Sequence, residues 1–406
     1  MKFSQRSETL KASPIRKFSD AVTRVEASGI EVIPMNIGQP DIPTPPDFLE
    51  AVRHYDVDVL AYQNSRGMKR TLETMQLYLH NYGLEFALDE ICITNGASEG
   101  LNFALSLTCD AGDAILAMEP FYTNYNSIAQ VQGVGIVAAT TYAEDGFRVP
   151  SLAEWDRVIS ASGKANRLKA LILSSPANPT GRVYTDEEMR ILVDLVQKYD
   201  LWLIADEVYR EFNYTPRPFH SFAEYEEIKD RVILVDSISK KYSACGARIG
   251  SLASKNRDFN EKALRLCQTR LCVSTLDQIG AGAMDIVDDA YVEDNRRTYR
   301  HRRDALQKRL EQMDGIIAPV PEGAFYLIIK LPVDNAEDFV RWTLGNVCVN
   351  GKTVLMTPAE SFYATPGLGK DEVRLSYCVK TERLLEAMDI LEIALKDYPG
   401  RRKQGA

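Results

Sequence analysis

The sequence predicts an α/β fold, a large unit on a mostly parallel sheet followed by a smaller α+β unit. Three observations carry this. Between about residues 90 and 255, short β-rich runs alternate with longer amphipathic stretches, the order that puts crossover helices between parallel strands. Residues 286 to 312, "IVDDAYVEDNRRTYRHRRDALQKRLEQ", read as one long, partly exposed helix joining two units. Beyond it, three strand-like runs precede a closing amphipathic stretch. The 406 residues suffice for two or three domains at roughly 100 to 200 residues each. We expect an N-terminal segment over 1–43 packing with the small domain, a large domain over 44–285 and a small domain over 286–406.

In order, the first 40 residues hold one helical stretch, then "VIPMNIGQPDIPTPP", whose Pro and Gly density marks an irregular crossing segment. The candidate strands are "EICIT", "AILAM", "IVAAT", "ALILS", "LWLIAD" and "RVILVD". In "TDEEMRILVDLVQKYD", Thr185 and Glu188 form a capping box, and Met189, Leu192, Val193 and Val196 share one face of the helix that follows. In the last third, "GAFYLIIKLP", "KTVLMTP" and "EVRLSYCV" read as strands and "KTERLLEAMDILEIALKDY" as the closing helix.

Composition narrows the function. A net charge of -9 argues against a basic footprint for nucleic acid, and only the tail "GRRKQGA" is locally basic. The charged start has no apolar h-region, and no later run approaches the 18 or so apolar residues of a membrane span. Seven scattered cysteines lack zinc-site spacing and read as reduced thiols in a cytoplasmic protein, and the four histidines never approach ligand spacing. No metal is expected.

In open parallel sheets, ligands sit beyond the carboxyl ends of the strands. After "EICIT", Gly96 permits a tight turn and the amides of Ala97 and Ser98 can face an anion. Tyr122 follows "AILAM", and Asn178 lies in the proline-stiffened "SPANPTGR" after "ALILS". Asp206 ends "LWLIAD", where an unpaired carboxylate would be costly to bury. "SISKKYSACGARIG" after "RVILVD" supplies Ser237, Ser239, Lys240, Lys241 and Arg248, the donors of a phosphate site beside a nucleophilic amine. One molecule could use all five strand ends if it had a phosphate, a flat ring, a ring nitrogen wanting an acid, a ring oxygen wanting donors and a carbonyl wanting a lysine. Pyridoxal 5'-phosphate fits that description.

These residues also resemble the class I/II aminotransferases of the fold-type I pyridoxal phosphate group, over nearly the whole chain. "SISKKYSACGARIG" is similar to the family's S-x-S-K segment with an arginine eight places after the lysine, which selects Lys240 and leaves Lys241 as a solvated neighbour. "SPANPTG", "ADEVY" and "VRLSY" resemble its N-P-T-G loop, D-E-x-Y strand end and R-x-S strand. "NIGQPDIPTPP" resembles its N-terminal segment, and "AYQNSRGMKRTL" its Y-x4-G segment, with Thr71 and Leu72 where Leu and Arg are frequent. The resemblance implies a seven-stranded, mostly parallel sheet in an αβα sandwich plus a smaller α+β domain.

It also implies roles. Lys240 would bind the cofactor covalently and shuttle a proton at the substrate α-carbon; Asp206 would pair with the ring nitrogen. Asn178 and Tyr209 would hold the ring oxygen, and Tyr122 would stack on the ring. Gly96, Ala97, Ser98, Ser237, Ser239 and Arg248 would form the phosphate cup, joined by Tyr62 from a second subunit of a homodimer. Arg374 would grip the substrate carboxylate, with Asn178 beside it and Gly38 closing over the substrate. The implied reaction is ping-pong transfer of an amino group from an L-amino acid to a 2-oxo acid such as 2-oxoglutarate. An aspartate-like donor comes first, ahead of alanine or aromatic donors or lyase or synthase chemistry. Ser98 stands where some bacterial aspartate aminotransferases place a lysine, so Arg16 or Arg270 is the candidate reader of a distal carboxylate.

Overall fold

The computed structural model describes residues 2–4, 7, 8, 10 and 16–402, so the last four residues of the basic tail lie outside it. Its main sheet contains β2 (Ile91–Asn95), β3 (Ala114–Glu119), β4 (Gly135–Thr140), β5 (Leu168–Ser174), β6 (Trp202–Asp206), β7 (Val232–Ser237) and β8 (Ile249–Ala253). The spatial order is β2-β8-β7-β6-β5-β3-β4. β8 runs antiparallel to both its neighbours, and the other pairs are parallel.

Side chains alternate across this sheet, yet both faces are apolar. Leu116, Leu171, Leu203 and Leu234 pack into the core on one face, while Ile115, Ile172, Ile204 and Ile233 pack into the core on the other. Strands that must be apolar on both sides belong in a sheet covered on both sides by helices. One covering helix is Asp186–Lys198, where Thr185 and Glu188 form the expected capping box and Met189, Leu192, Val193 and Val196 are buried.

The six strands read from the sequence all form, within a residue or two of their expected ends. β8 has no such reading: its "IGSLA" lies just past the lysine cluster and is defined by partners on both sides.

A second body holds antiparallel β9 (Tyr326–Lys330), β11 (Thr357–Pro358) and β12 (Glu372–Ser376) in the order β11-β12-β9. The helices Asp289–Leu310, Ala336–Asn346 and Thr381–Asp397 contribute to its core. The expected irregular segment is corrected at its start, because β1 (Glu31–Pro34) pairs in parallel with β10 (Lys352–Leu355). That pairing carries residues 36–39 to the carboxyl-end side of the main sheet. Val208, Tyr209 and Phe212, just past β6, pack into the same core as β9 and β12, which couples the two bodies at the sheet end. Among the described residues, no helix is long and apolar enough to cross a membrane.

Candidate active site

Beyond the carboxyl ends of the parallel strands lies a cavity of about 620 Å³, with walls from both bodies. Each strand end contributes through its local chemistry. At β2 the chain turns at Gly96 with φ of 70°, a left-handed conformation that glycine adopts at little cost. The turn opens the helix Gly96–Thr108, so Ala97 and Ser98 face the cavity at its positive end. Gly96 also makes room, since a Cβ there would stand 2.2 Å from Nη2 of Arg248. Arg248 itself has φ of 55°, unfavourable for a residue with a Cβ, and its Nη1 donates to the Cys245 carbonyl at 3.1 Å.

Tyr122, after β3, lines the cavity and meets the Tyr125 ring edge-on at 5.7 Å. Tyr125 donates to Oδ2 of Asp206 at 3.1 Å, while Oδ1 is buried without a hydrogen-bond partner. Burial raises the Asp206 pKa to about 7, against the opposing pull of the Tyr125 hydroxyl and the Val208 amide. The Asn178 amide donates to the Tyr209 hydroxyl at 3.5 Å and accepts from Nη1 of Arg374 at 3.1 Å. Nη2 of Arg374 donates to the Asn36 carbonyl at 2.6 Å, and its Nε is buried with no acceptor. The guanidinium lies over the Tyr326 ring at 4.4 Å and near the Phe362 ring at 5.1 Å.

At β7 the Ser237 side chain accepts from the Ser239 amide at 2.9 Å and starts the short helix Ile238–Lys241. Lys240 points into the cavity, where its Nζ donates to the Gly38 carbonyl at 2.9 Å and lies 3.8 Å from Sγ of Cys245. Gly38 is needed there for space: a Cβ would fall 1.6 Å from the Tyr326 hydroxyl.

The structure thus gathers Gly38, Ala97, Ser98, Tyr122, Asn178, Asp206, Tyr209, Ser237, Ser239, Lys240, Arg248 and Arg374 around one space, with Gly96 shaping its rim. Arg16 lines it too, whereas Arg270 is turned away, its Nε on Glu99 at 3.0 Å and its Nη2 on the Ile93 carbonyl at 2.6 Å. Tyr62 is 79% exposed and stands apart from the cavity. The expectation that Lys241 is solvated is overturned. It is 1% exposed and bonds Asp236 at 3.2 Å, because neighbouring residues of one helical turn point in different directions and only one of the two lysines can face the cavity.

Sequence reasoning missed Tyr326, whose hydroxyl meets that of Tyr209 at 3.1 Å, and Tyr125. The signal for Tyr125 was weak, three residues past Tyr122 on a helix; Tyr326 had none, as it sits in an otherwise apolar strand. Among the described residues, no three His, Cys, Asp or Glu side chains are grouped to hold a metal ion.

An amine, an acid and a partly unsatisfied guanidinium converging at the end of a parallel sheet define an enzyme site suited to an amino acid and an anionic group. Residues 30–391 match the family Aminotransferase class I and II, and the chain belongs to that family. It is an aminotransferase of the fold-type I architecture. It is 30% identical to an aspartate aminotransferase of Thermotoga maritima over 95% of this chain and 98% of the relative. It is 29% identical to aromatic-amino-acid aminotransferase 2 of Thermococcus litoralis over 98% of this chain and 99% of that one. The fold matches a solved alanine aminotransferase of Pyrococcus furiosus with a TM-score of 0.87 at 27% identity, over 98% of this chain and all of that one.

Proposed function

We propose that this aminotransferase uses pyridoxal 5'-phosphate to move an amino group between an aspartate-like L-amino acid and a 2-oxo acid such as 2-oxoglutarate. The observation that carries the cofactor is the orphaned Oδ1 of Asp206. A buried carboxylate oxygen without a donor fits a cationic ring N–H, and such a partner would draw the raised pKa back down. The Ala97 and Ser98 helix start, the serine hydroxyls and Arg248 fit the phosphate.

When bound, the cofactor would supply an electron sink that acidifies the substrate α-C–H. Lys240 takes that proton and delivers it back, its amine positioned by the Gly38 carbonyl. Arg374 holds the substrate carboxylate, with its free Nε–H among the donors and its plane fixed by Asn178, the Asn36 carbonyl and the Tyr326 ring. Tyr209 and Asn178 would hold the ring oxygen, and Tyr122, which lines the cavity, would cover the ring face. Gly38 closes over the substrate.

A distal carboxylate is read by Arg16, which lines the cavity. The names of the Thermotoga and the Thermococcus relatives favour aspartate and aromatic donors respectively, and the missing lysine at Ser98 keeps the second in view. Exposed Val59, Leu60, Tyr62 and Leu271 favour a homodimer in which Tyr62 completes the partner's phosphate cup. Seven unpaired cysteines favour the reducing cytoplasm. The division into 1–43, 44–285 and 286–406 is supported by the pairing of β1 with β10. The test is the visible spectrum of purified protein during addition of single amino acids. Conversion of the cofactor band by dicarboxylic donors supports the reading; pyruvate or ammonia release without conversion points to a lyase.

A further inference from the structure

Behind the strand ends, on the side of the Ile238–Lys241 helix away from the cavity, lies a buried charge cluster with no part in the chemistry above. Lys241 bonds Asp236 at 3.2 Å, lies 3.9 Å from Glu211 and stands 3.0 Å from the centre of the Tyr78 ring. Arg210 bonds Glu207 at 2.8 Å and reaches Asp236 at 3.4 Å. All these charged side chains are at most 2% exposed. Burying so many charges is costly unless each has a partner, so the arrangement is specific in what it fixes.

What it fixes is the segment carrying Lys240. Oδ1 of Asp236 accepts the Ser237 amide at 2.6 Å while Oδ2 holds Lys241, so one carboxylate ties both ends of the short helix. Ser237 in turn bonds the Ser239 hydroxyl at 2.6 Å. On the strand side, Glu207 directly follows Asp206, and its amide bonds the Val235 carbonyl at 2.9 Å. The cluster is therefore one residue from both Asp206 and Lys240.

We propose that Lys241, acting through Asp236, is a positioning residue that orients Lys240 and sets the electrostatic background of its amine. This rests on the reading that Lys240 carries the cofactor. On the cavity side the charged groups are Asp206, Arg374, Arg248 and Arg16, and the Tyr122, Tyr209, Tyr326, Cys245 and Cys378 side chains also face Lys240. Behind it, the adjacent Lys241 brings in the charges of Asp236, Glu211 and Arg210. Asp236 already disfavours ionisation of Asp206 across the strand pair. Removing the Lys241 charge leaves Arg210 alone against Asp236, Glu207 and Glu211 and makes the background more negative, which favours the protonated form of any cationic nitrogen at Lys240.

The experiment titrates the visible absorbance of cofactor-loaded protein with pH in the wild type, Lys241→Met, Lys241→Arg, Asp236→Asn and the Lys241→Met/Asp236→Asn double variant. Thermal melting is recorded alongside. Lys241→Met should raise the spectral midpoint by about one pH unit, a reasonable scale for one buried charge on the adjacent residue. Asp236→Asn should lower it, the double variant should return toward the wild type, and Lys241→Arg should stay close to it. Lowered melting temperatures with unmoved midpoints would reduce the cluster to a structural brace and overturn the proposal. If Lys241→Met fails to fold, the Asp236→Asn midpoint decides alone. A wild type with no borohydride-sensitive band would instead sink the cofactor reading.

Discussion

Tyr125 donates its hydroxyl to one oxygen of Asp206 and leaves the other bare in a buried site. In the protein without cofactor, burial raises the Asp206 pKa to about 7, while an unfolded chain holds it near 3.9. The folded state therefore binds the extra proton between these limits. Its contribution to stability is complete below about 3.9 and lost as pH rises towards 7, at about 1.4 kcal/mol per pH unit where only Asp206 titrates. Chemical denaturation of cofactor-free protein between pH 4.5 and 8 should show this fall, and Asp206→Asn should flatten it. Parallel curves for the two proteins would mean that burial does not govern this carboxylate.

Cofactor-loaded Asp206→Asn should keep the cofactor yet lose roughly 10²-fold or more in turnover, because a neutral amide cannot stabilise a cation as a carboxylate does. The check is single-turnover absorbance. Near-normal rates would remove Asp206 from the proposed role.

Lys240→Ala should abolish borohydride trapping of the cofactor, while Lys241→Ala should retain it. The two variants should differ in the opposite sense in stability. Lys241→Ala strands Asp236 and Glu211 without their nearest amine and should cost about 3 kcal/mol in denaturation. Trapping by Lys240→Ala but not by Lys241→Ala would reverse the assignment of the two lysines.

That pair also shows what the sequence could and could not reveal. The register to Arg248 selected Lys240, since ligand groups follow strand ends and the strands were plain as apolar runs. The fate of Lys241 depended on a buried pocket formed by Asp236, Glu211 and the Tyr78 ring, and no local pattern announces the two of these that lie far upstream, Glu211 and Tyr78. Tyr326 was hidden for the same reason, as its hydroxyl meets the Gly38 carbonyl across 288 positions. β1 looked irregular because its strand character comes from pairing with β10, remote in sequence. Local chemistry was readable, whereas long-range partnership was not.

Arg374→Lys should raise KM for the amino acid by roughly 10- to 100-fold, since a single ammonium replaces a planar fork by a point charge. The Asn178 and Asn36 contacts would also lose their geometry. Steady-state kinetics with cofactor saturation confirmed by absorbance checks this. An unchanged KM would place the carboxylate elsewhere.

Tyr62→Ala should weaken cofactor retention without unfolding the chain, because the ring is 79% exposed and contributes little to a single chain's core. Dialysis followed by absorbance measures retention, and sedimentation measures assembly. A monomeric wild type that holds cofactor firmly would contradict the shared site.

Arg16 offers the sharpest division between substrates. It lines the cavity, while Arg270 is committed to Glu99 and the Ile93 carbonyl. If Arg16 reads a distal carboxylate, Arg16→Ala should reduce kcat/KM for aspartate by roughly 10²-fold, the scale of a lost charge-assisted bond, and change that for alanine far less. Because uniform damage to the site would lower both values together, the ratio between them is the quantity to measure. An equal fall for both donors would assign Arg16 to the shape of the entrance, and the aromatic or alanine reading would then take precedence over the dicarboxylate one.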